Sequence, residues 1–313
     1  MSELILHHFP VSPYSEKVRL ILGFKKLAWK SVLVPMMPPK PDVLALTGGY
    51  RKTPFLQIGS DIYCDSALIA EVLENFEPAP SLFPTEQAGL ARILAQWADS
   101  LLFWATIRFN RGLLSVGKPL GGLSPEAAKA LAADRKAMGF DLEWVSPADA
   151  AVPFHDYLAR LKEILAAKPF LLGPTPSIAD FAAFHSLWYL CGRAGAAMDS
   201  DRLDPQIKDW MTRMTAFGHG NRADIEAAHA VAIADQSQPM AIGHNHLKSS
   251  GFVDTHGISL GSKVAISAES FGLEPTHGEL IAATSTHYSL RRNEQRAGVV
   301  HVHFPRIGYV LKT

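Results

Sequence analysis

The sequence predicts an α/β unit at the N-terminus, an all-helical bundle after it, and a small, mostly β module at the C-terminus. Three observations carry this prediction. Short apolar runs and one helically spaced run alternate in the order βαβ–ββα within about 80 residues, which makes one compact α/β unit. From about residue 86 to 228 the apolar spacing turns helical, and beyond residue 235 it becomes short strand-like runs split by turns. At 313 residues the chain exceeds one ordinary core, so two or three domains are expected.

Taken in order, residues 4–9 (Leu-Ile-Leu-His-His-Phe) read as a short buried strand. Ser12-Pro13 opens a helix, because serine is a favoured N-cap and proline fits the first helical position. Val18, Ile21 and Leu22 continue it, and Gly23 weakens its end. Residues 29–34 read as a second strand, followed by a Pro-rich loop from Pro35 to Pro41. Residues 54–58 and 62–64 flank Gly59-Ser60-Asp61 as a hairpin, and a helix carrying Leu68, Ile69, Val72 and Leu73 starts near Ser66.

The helical region begins with a long stretch from Glu86 to about Gly112. Further helices follow Ser124-Pro125, surround Tyr157 to Ala167, and begin at Ser177. The polar stretch from Gln236 to Ser250 reads as a linker. Residues 263–266, 279–282, 287–290 and 298–302 are strand-like, a pattern of a small barrel or sandwich. The expected domains are 1–80, 86–230, a linker at 231–251, and a barrel-like module at 252–313.

Composition narrows the function. Lys+Arg 30 balances Asp+Glu 30, so no net charge draws the chain to nucleic acid or to an anionic membrane. No apolar run approaches the length of a membrane span, the N-terminus lacks a secretory h-region, and two cysteines, Cys64 and Cys191, suit a reducing compartment. A cytoplasmic protein is expected.

Three features of the first 80 residues carry chemistry. Ser12 stands at a strand-to-helix junction, where helix N–H groups and the dipole favour an anion. A thiolate there would gain from the dipole and from a hydroxyl hydrogen bond. Such a bond contributes ~1.5–3 kcal/mol, enough to lower a thiol pKa from ~8.5 by one to two units. Ser12 is equally a plain N-cap, and Ser15, three residues on, is the alternative hydroxyl. Thr53-Pro54 opens a strand, where a proline costs no ladder bond; with that bond cis, Thr53 would offer its backbone to a peptide-like ligand. Asp65-Ser66 opens a helix, with donors for a carboxylate and an acceptor for an amine, although either residue would also serve as an ordinary helix start.

Together these segments resemble a known family. Ser12-Pro13-Tyr14-Ser15-Glu16-Lys17-Val18-Arg19 looks like the serine-type active-site segment of glutathione transferases. Arg51-Lys52-Thr53-Pro54-Phe55-Leu56 is similar to that family's cis-proline segment, and Asp65-Ser66-Ala67-Leu68-Ile69 to its γ-glutamyl-binding segment. Ser177-Ile178-Ala179-Asp180-Phe181 resembles the capping box of its helical domain, with Asp180 at N3 returning the bond. The resemblance covers roughly residues 3 to 228. It implies a thioredoxin-like N-terminal domain, a helical-bundle second domain, glutathione as co-substrate, and a homodimer.

By that resemblance Ser12 keeps the glutathione sulfur ionised, Thr53 with Pro54 pairs with the cysteinyl backbone, Asp65 and Ser66 hold the γ-glutamyl group, and Lys52 reaches the glycyl carboxylate. On the long helix Trp97, Leu101, Trp104, Arg108 and Arg111 recur at steps of four and three, hence on one face. They read either as core packing or, with Trp104 and Arg108 facing Val11 and Tyr14, as the walls of a pocket for an apolar electrophile. His301 and His303, two apart on a strand, share a face, but with no third ligand in view no metal is expected.

The expected activity is conjugation of glutathione thiolate to a small electrophile in detoxification. The alternatives are a glutathione-binding scaffold with little turnover, and glutathione-dependent peroxide reduction or isomerisation on the same site. The C-terminal module is expected to dock on the body or on a dimer mate.

Overall fold

The computed structural model describes residues 3–115, 124–139, 145–194, 203–248, 251–253 and 255–313; the side chains of 111–115, 125, 193 and 194 are outside the description. The side chain of Arg111 and residues 249 and 250 of the expected linker fall outside it accordingly.

The N-terminal unit runs β1 (Ile5–His8), α1 (Pro13–Phe24), β2 (Ala28–Leu33), α2 (Pro41–Thr47), β3 (Phe55–Ile58), β4 (Asp61–Cys64) and α3 (Ser66–Phe76). β1 is parallel to β2 and antiparallel to β3, and β3 is antiparallel to β4, which gives the thioredoxin-like order. The Pro-rich loop continues into α2, which the sequence reading did not separate from it: Pro41 sits at the start, where a missing N–H costs nothing, and Gly48 ends the helix with φ 81°.

Side chains alternate across the strands. Leu4, Leu6, Leu56, Ile58 and Tyr63 join one core with Val18, Ile21 and Leu22 of α1 and Ile69, Val72 and Leu73 of α3. Phe55, Ile62 and Cys64 face the other way. Each fully buried leucine, isoleucine or phenylalanine contributes ~1.5–3 kcal/mol of burial, so both sheet faces are held.

The helical domain comprises α4 (Ala88–Trp97), a π-helical segment (Ala98–Leu102), α5 (Phe103–Ser115), α6 (Pro125–Ala137), α7 (Pro147–Leu165), α8 (Ile178–Ala194) and α9 (Pro205–Thr215). It shares the first core through Phe154, Phe181, Phe184 and Trp210. At the start of α8, Asp180 accepts the Ser177 N–H (2.9 Å) and hydroxyl (3.1 Å), with the Leu171 N–H and Trp210 Nε1 completing its shell. The π segment rotates the face read from spacing: Trp97 stacks on Tyr157, Leu101 is 67% exposed, and Trp104 packs against Phe103. The single stripe expected through these residues is therefore broken, because a wider turn shifts the register of everything beyond it.

After α9 the chain returns to the sheet. β5 (Asn221–Asp224) pairs in parallel with β2, and α10 (Ala227–Asp235) lies on the face that carries α2, burying Ala230, Val231 and Ala234. The expected linker is laid down on the body rather than left as a tether. Met240 N–H donates to Asp61, the Tyr63 hydroxyl to Asn245 O, and Asn75 to His246 O. A polar, aperiodic segment gives no hint of this in sequence, because its anchors are single hydrogen bonds.

The tail strands are β6 (Lys263–Ala268), β7 (Thr276–Ala283), β8 (His287–Glu294), β9 (Gly298–Pro305) and β10 (Tyr309–Lys312). β6 to β9 form an antiparallel meander, and β10 returns to pair with β6. Four strand spacings would separate β9 from β10 by about 19 Å in a flat sheet. The link from Pro305 to Tyr309 reaches about 14 Å, so these strands must curl. The curl stays open on one side, where β9 pairs in parallel with β4 through Asp61↔His301, Ile62↔Val302 and Tyr63↔His303. The described strands thus form one ten-stranded sheet, β10-β6-β7-β8-β9-β4-β3-β1-β2-β5.

The junction is sealed by a buried polar chain. His303 Nε2 meets Asp61 Oδ1 at 2.9 Å, and His303 Nδ1 meets the Ser289 hydroxyl at 2.7 Å. His301 Nδ1 lies 3.8 Å from the same carboxylate. The His301-to-Arg306 run, conspicuous in the sequence, thereby has a structural role: it satisfies a buried aspartate where two ladders meet.

Candidate functional site

The strand register brings the three sequence segments to one end of the sheet. His7 is opposite Phe55, and Phe55 is opposite Cys64. The C-terminal end of β1, the N-terminal end of β3 and the C-terminal end of β4 are therefore neighbours. Ser12, Thr53 and Asp65 follow or precede those ends by one to a few residues.

Ser12 caps α1. Its backbone is extended (φ −75°, ψ 123°), and its Oγ accepts the Ser15 N–H at 3.2 Å. Its own proton is given to no group among the described residues, so the hydroxyl can still donate. The Ser15 Oγ is fully buried with no hydrogen-bond partner among the described residues, one turn inside the helix. Of the two candidate hydroxyls, Ser12 is the one at the helix end.

The Thr53–Pro54 peptide is cis, and the Thr53 N–H and C=O have no hydrogen bond among the described residues. Asp65 caps α3 from a left-handed backbone (φ 81°) and accepts the Ala67 N–H at 2.9 Å. A non-glycine residue there costs on the order of 1–3 kcal/mol and persists only when its surroundings fix it. They do: the Asp65 N–H donates to the Tyr50 hydroxyl (3.2 Å), and the Tyr309 hydroxyl donates to Asp65 Oδ2 (3.1 Å). Ser66 Oγ accepts from Lys17 Nζ at 3.3 Å and keeps its proton for another acceptor.

Lys17 is wholly buried and reaches Asp99 Oδ2 at 2.5 Å; His185 Nε2 meets Asp99 Oδ1 at 2.9 Å, and the Tyr14 hydroxyl donates to the Asp99 carbonyl at 2.6 Å. Burial works against the charged Asp99, but Lys17 and His185 outweigh it and hold the carboxyl below its usual range. Burial likewise pushes His185 down, against the pull of Asp99. The π segment supplies Asp99, joining the two domains directly behind Ser66.

Cations that sequence reasoning passed over lie beside these segments. Lys40, just before α2, is buried without a carboxylate within 4.0 Å among the described residues, and burial with the nearby Arg135 and Arg51 lowers its ammonium to about 8. Arg51 is held by Asp134 (2.6 Å) of α6 and Glu274 (2.5 Å) of the tail. Lys52 sits over the rings of Tyr50 and Tyr309. Of these, only Lys52 was given a ligand role from sequence. Lys40 and Arg51 are surface-type residues, and the contact of Arg51 with Glu274 of the tail is one that no local pattern reports.

On the second-substrate side, Val11 is 42% exposed next to Ser12, and Tyr14 is wedged against Phe103 and His185 with its hydroxyl committed. Trp104 meets Phe271 of the tail at 6.5 Å between centroids, and Arg108 is exposed. Among the described residues no group of three or more His, Cys, Asp or Glu is placed to hold a metal, and no helix is long and apolar enough to cross a membrane.

Comparison with known proteins agrees with this architecture. The family models "Glutathione S-transferase, N-terminal domain" and "Glutathione S-transferase, C-terminal domain" match residues 6–81 and 87–213. A GST-like protein of Pseudomonas syringae is similar over 100% of both chains, with 39% identity and a TM-score of 0.80, so the likeness includes the tail. FtsZ-localized protein A of Caulobacter vibrioides is 29% identical over 201 residues, 58% of this chain and 74% of that protein. A glutathione S-transferase of Methylobacillus flagellatus, solved with glutathione bound, shares the fold at 20% identity and a TM-score of 0.50, covering 69% of this chain and 95% of its own. With two thioredoxin-like and helical domains so matched, the chain belongs to the glutathione transferase superfamily.

Proposed function

We propose that the protein binds glutathione along the end of the sheet and directs its thiolate onto a small, largely apolar electrophile. The observation that carries this reading is the Ser12 hydroxyl, fixed at the α1 N-terminus with its proton undonated among the described residues. There it would donate to a sulfur anion while the helix N–H groups favour the same charge. Thr53 would pair with the cysteinyl backbone through its N–H and C=O, unbonded among the described residues, and Asp65 and Ser66 would take the γ-glutamyl group. Lys40, a buried cation with no ion pair within 4.0 Å among the described residues, suits the glycyl carboxylate, the role the sequence resemblance gives to Lys52. Val11, Tyr14, Trp104 and Arg108 remain the proposed walls of the second pocket. Ionising and positioning the thiol supplies the rate, with no covalent protein intermediate.

The test is turnover with a generic electrophile. Wild type should conjugate glutathione, Ser12→Ala should reduce kcat roughly tenfold or more, and Ser15→Ala should do less. A greater loss from Ser15→Ala would reverse the two roles.

A second reading is favoured by the likeness to FtsZ-localized protein A: a glutathione-binding protein of little turnover that acts by assembly with a partner. Tight glutathione binding without turnover on any electrophile or peroxide would select it. Homodimerisation and a cytoplasmic location belong to both readings.

A further inference from the structure

Lys52 and Asp65 carry opposite charges in the same corner of the cleft, yet they form no ion pair within 4.0 Å among the described residues. Two tyrosines stand between them. Lys52 Nζ lies 5.3 Å from the Tyr50 ring centroid and 5.0 Å from that of Tyr309. The same two residues grip Asp65 from the other side, Tyr50 accepting its N–H and Tyr309 donating to its Oδ2. The lysine stem is walled in by the tail as well, since a Cβ on Gly272 would come within 2.8 Å of Lys52 Cδ.

We propose that Tyr309, brought in by the C-terminal extension, acts with Tyr50 to position Asp65 and Lys52 around the α-amino-acid head group that the proposed reading already puts on Asp65 and Ser66. The C-terminal extension thereby supplies a positioning residue, Tyr309, to the ligand site. The inference rests on the glutathione reading for the ligand, whose γ-glutamyl end is such a head group.

The strand topology makes the arrangement possible. β9 runs parallel to β4, so the turn from Pro305 to Tyr309 emerges at the same sheet end as Asp65. A cation over two aromatic faces is attracted to them but not neutralised. Burial pushes the Lys52 ammonium down, and Asp65 opposes that from beyond contact distance. A zwitterionic group between the two would satisfy both charges at once. A carboxylate held by two fixed donors, the Ala67 N–H and the Tyr309 hydroxyl, keeps its remaining lone pairs aimed without reorganisation.

The test compares the full-length wild type with Tyr309→Phe, which keeps the ring and removes the donor. Calorimetry is run with glutathione and with the analogue in which hydrogen replaces the α-amino group. Wild type should prefer glutathione. Tyr309→Phe should bind glutathione roughly threefold to tenfold more weakly and the analogue nearly unchanged, so that discrimination shrinks. Equal losses for both ligands would reduce Tyr309 to a packing residue and overturn the proposal, as would tighter glutathione binding by the variant, which would mark the hydroxyl as an obstruction. No binding of either ligand by wild type would sink the glutathione reading itself, and this proposal with it. Should the variant fail to fold, the wild-type complex decides: an ammonium on Asp65 with the Tyr309 hydroxyl still bonded supports it, and a displaced hydroxyl contradicts it.

Discussion

Individual residues in the cleft have divided duties, and the divisions are testable. Asp65 caps α3 with Oδ1 and meets Tyr309 with Oδ2. Asparagine would keep the cap, lose the charge and reverse the Tyr309 contact, its Nδ2 donating to the phenol oxygen. Asp65→Asn is therefore expected to leave the melting temperature nearly unchanged while weakening glutathione binding roughly tenfold to a hundredfold, the range for a hydrogen bond to a charged group. Calorimetry at constant ionic strength checks this, and an unchanged affinity would remove Asp65 from the ligand. Ser12, Thr53, Asp65 and Ser66 were legible in the sequence because each sits at an element boundary, where residue choice is governed by local backbone rules. Lys40, Tyr50 and Tyr309 were not legible. Tyr50 and Tyr309 matter through Asp65, 15 and 244 positions away, and no periodicity encodes that.

Elements decide how closely the tail can approach. Gly48 and Gly49 follow α2, and a side chain on Gly49 would collide with the backbone carbonyl of Pro275. Around that contact Thr276 Oγ1 donates to Thr47 O at 3.1 Å and accepts the Tyr50 N–H at 3.2 Å. Gly49→Ala should push the start of β7 away, lowering the melting temperature by several degrees for a cost of about 1–3 kcal/mol and exposing the tail to limited proteolysis. A protease pattern identical to wild type would refute the close docking. The short strands β6 to β9 were readable from their Val, Ile and Tyr content and turns. That β9 would add to β4 was not, since an edge strand looks the same in sequence whether it is paired or solvated. The π segment was missed for a related reason: 3.6-residue spacing assumes an unbroken helix.

At the scale of the molecule, the tail is a structural layer of the body. Phe55, Ile62 and Cys64 share one core with Val264, Leu280, Leu290, Val302 and Leu311. Truncation after Asp235 should expose that face and the β4 edge, so the shortened protein is expected to melt lower and aggregate; an unchanged melting temperature would show that the module is independent. Acid should weaken the whole fold as well. Burial lowers His7 to about 4, His8 to about 3 and His287 to about 4. Unfolded histidines titrate near ~6.5, so their stabilisation is complete above that pH and is lost as pH falls toward the folded values, at about 1.4 kcal/mol per unit of depression. Urea midpoints should therefore fall steadily from pH 7 to pH 4.5, and flat midpoints would contradict the burial of neutral imidazoles. The central claim, that the end of the sheet binds glutathione and ionises it at Ser12, is tested most directly by titrating the ultraviolet absorbance of the bound thiolate. The account predicts a thiol pKa one to two units below the free value of ~8.5 in wild type, rising toward it in Ser12→Ala. A bound thiol that titrates like free glutathione in both proteins would contradict it.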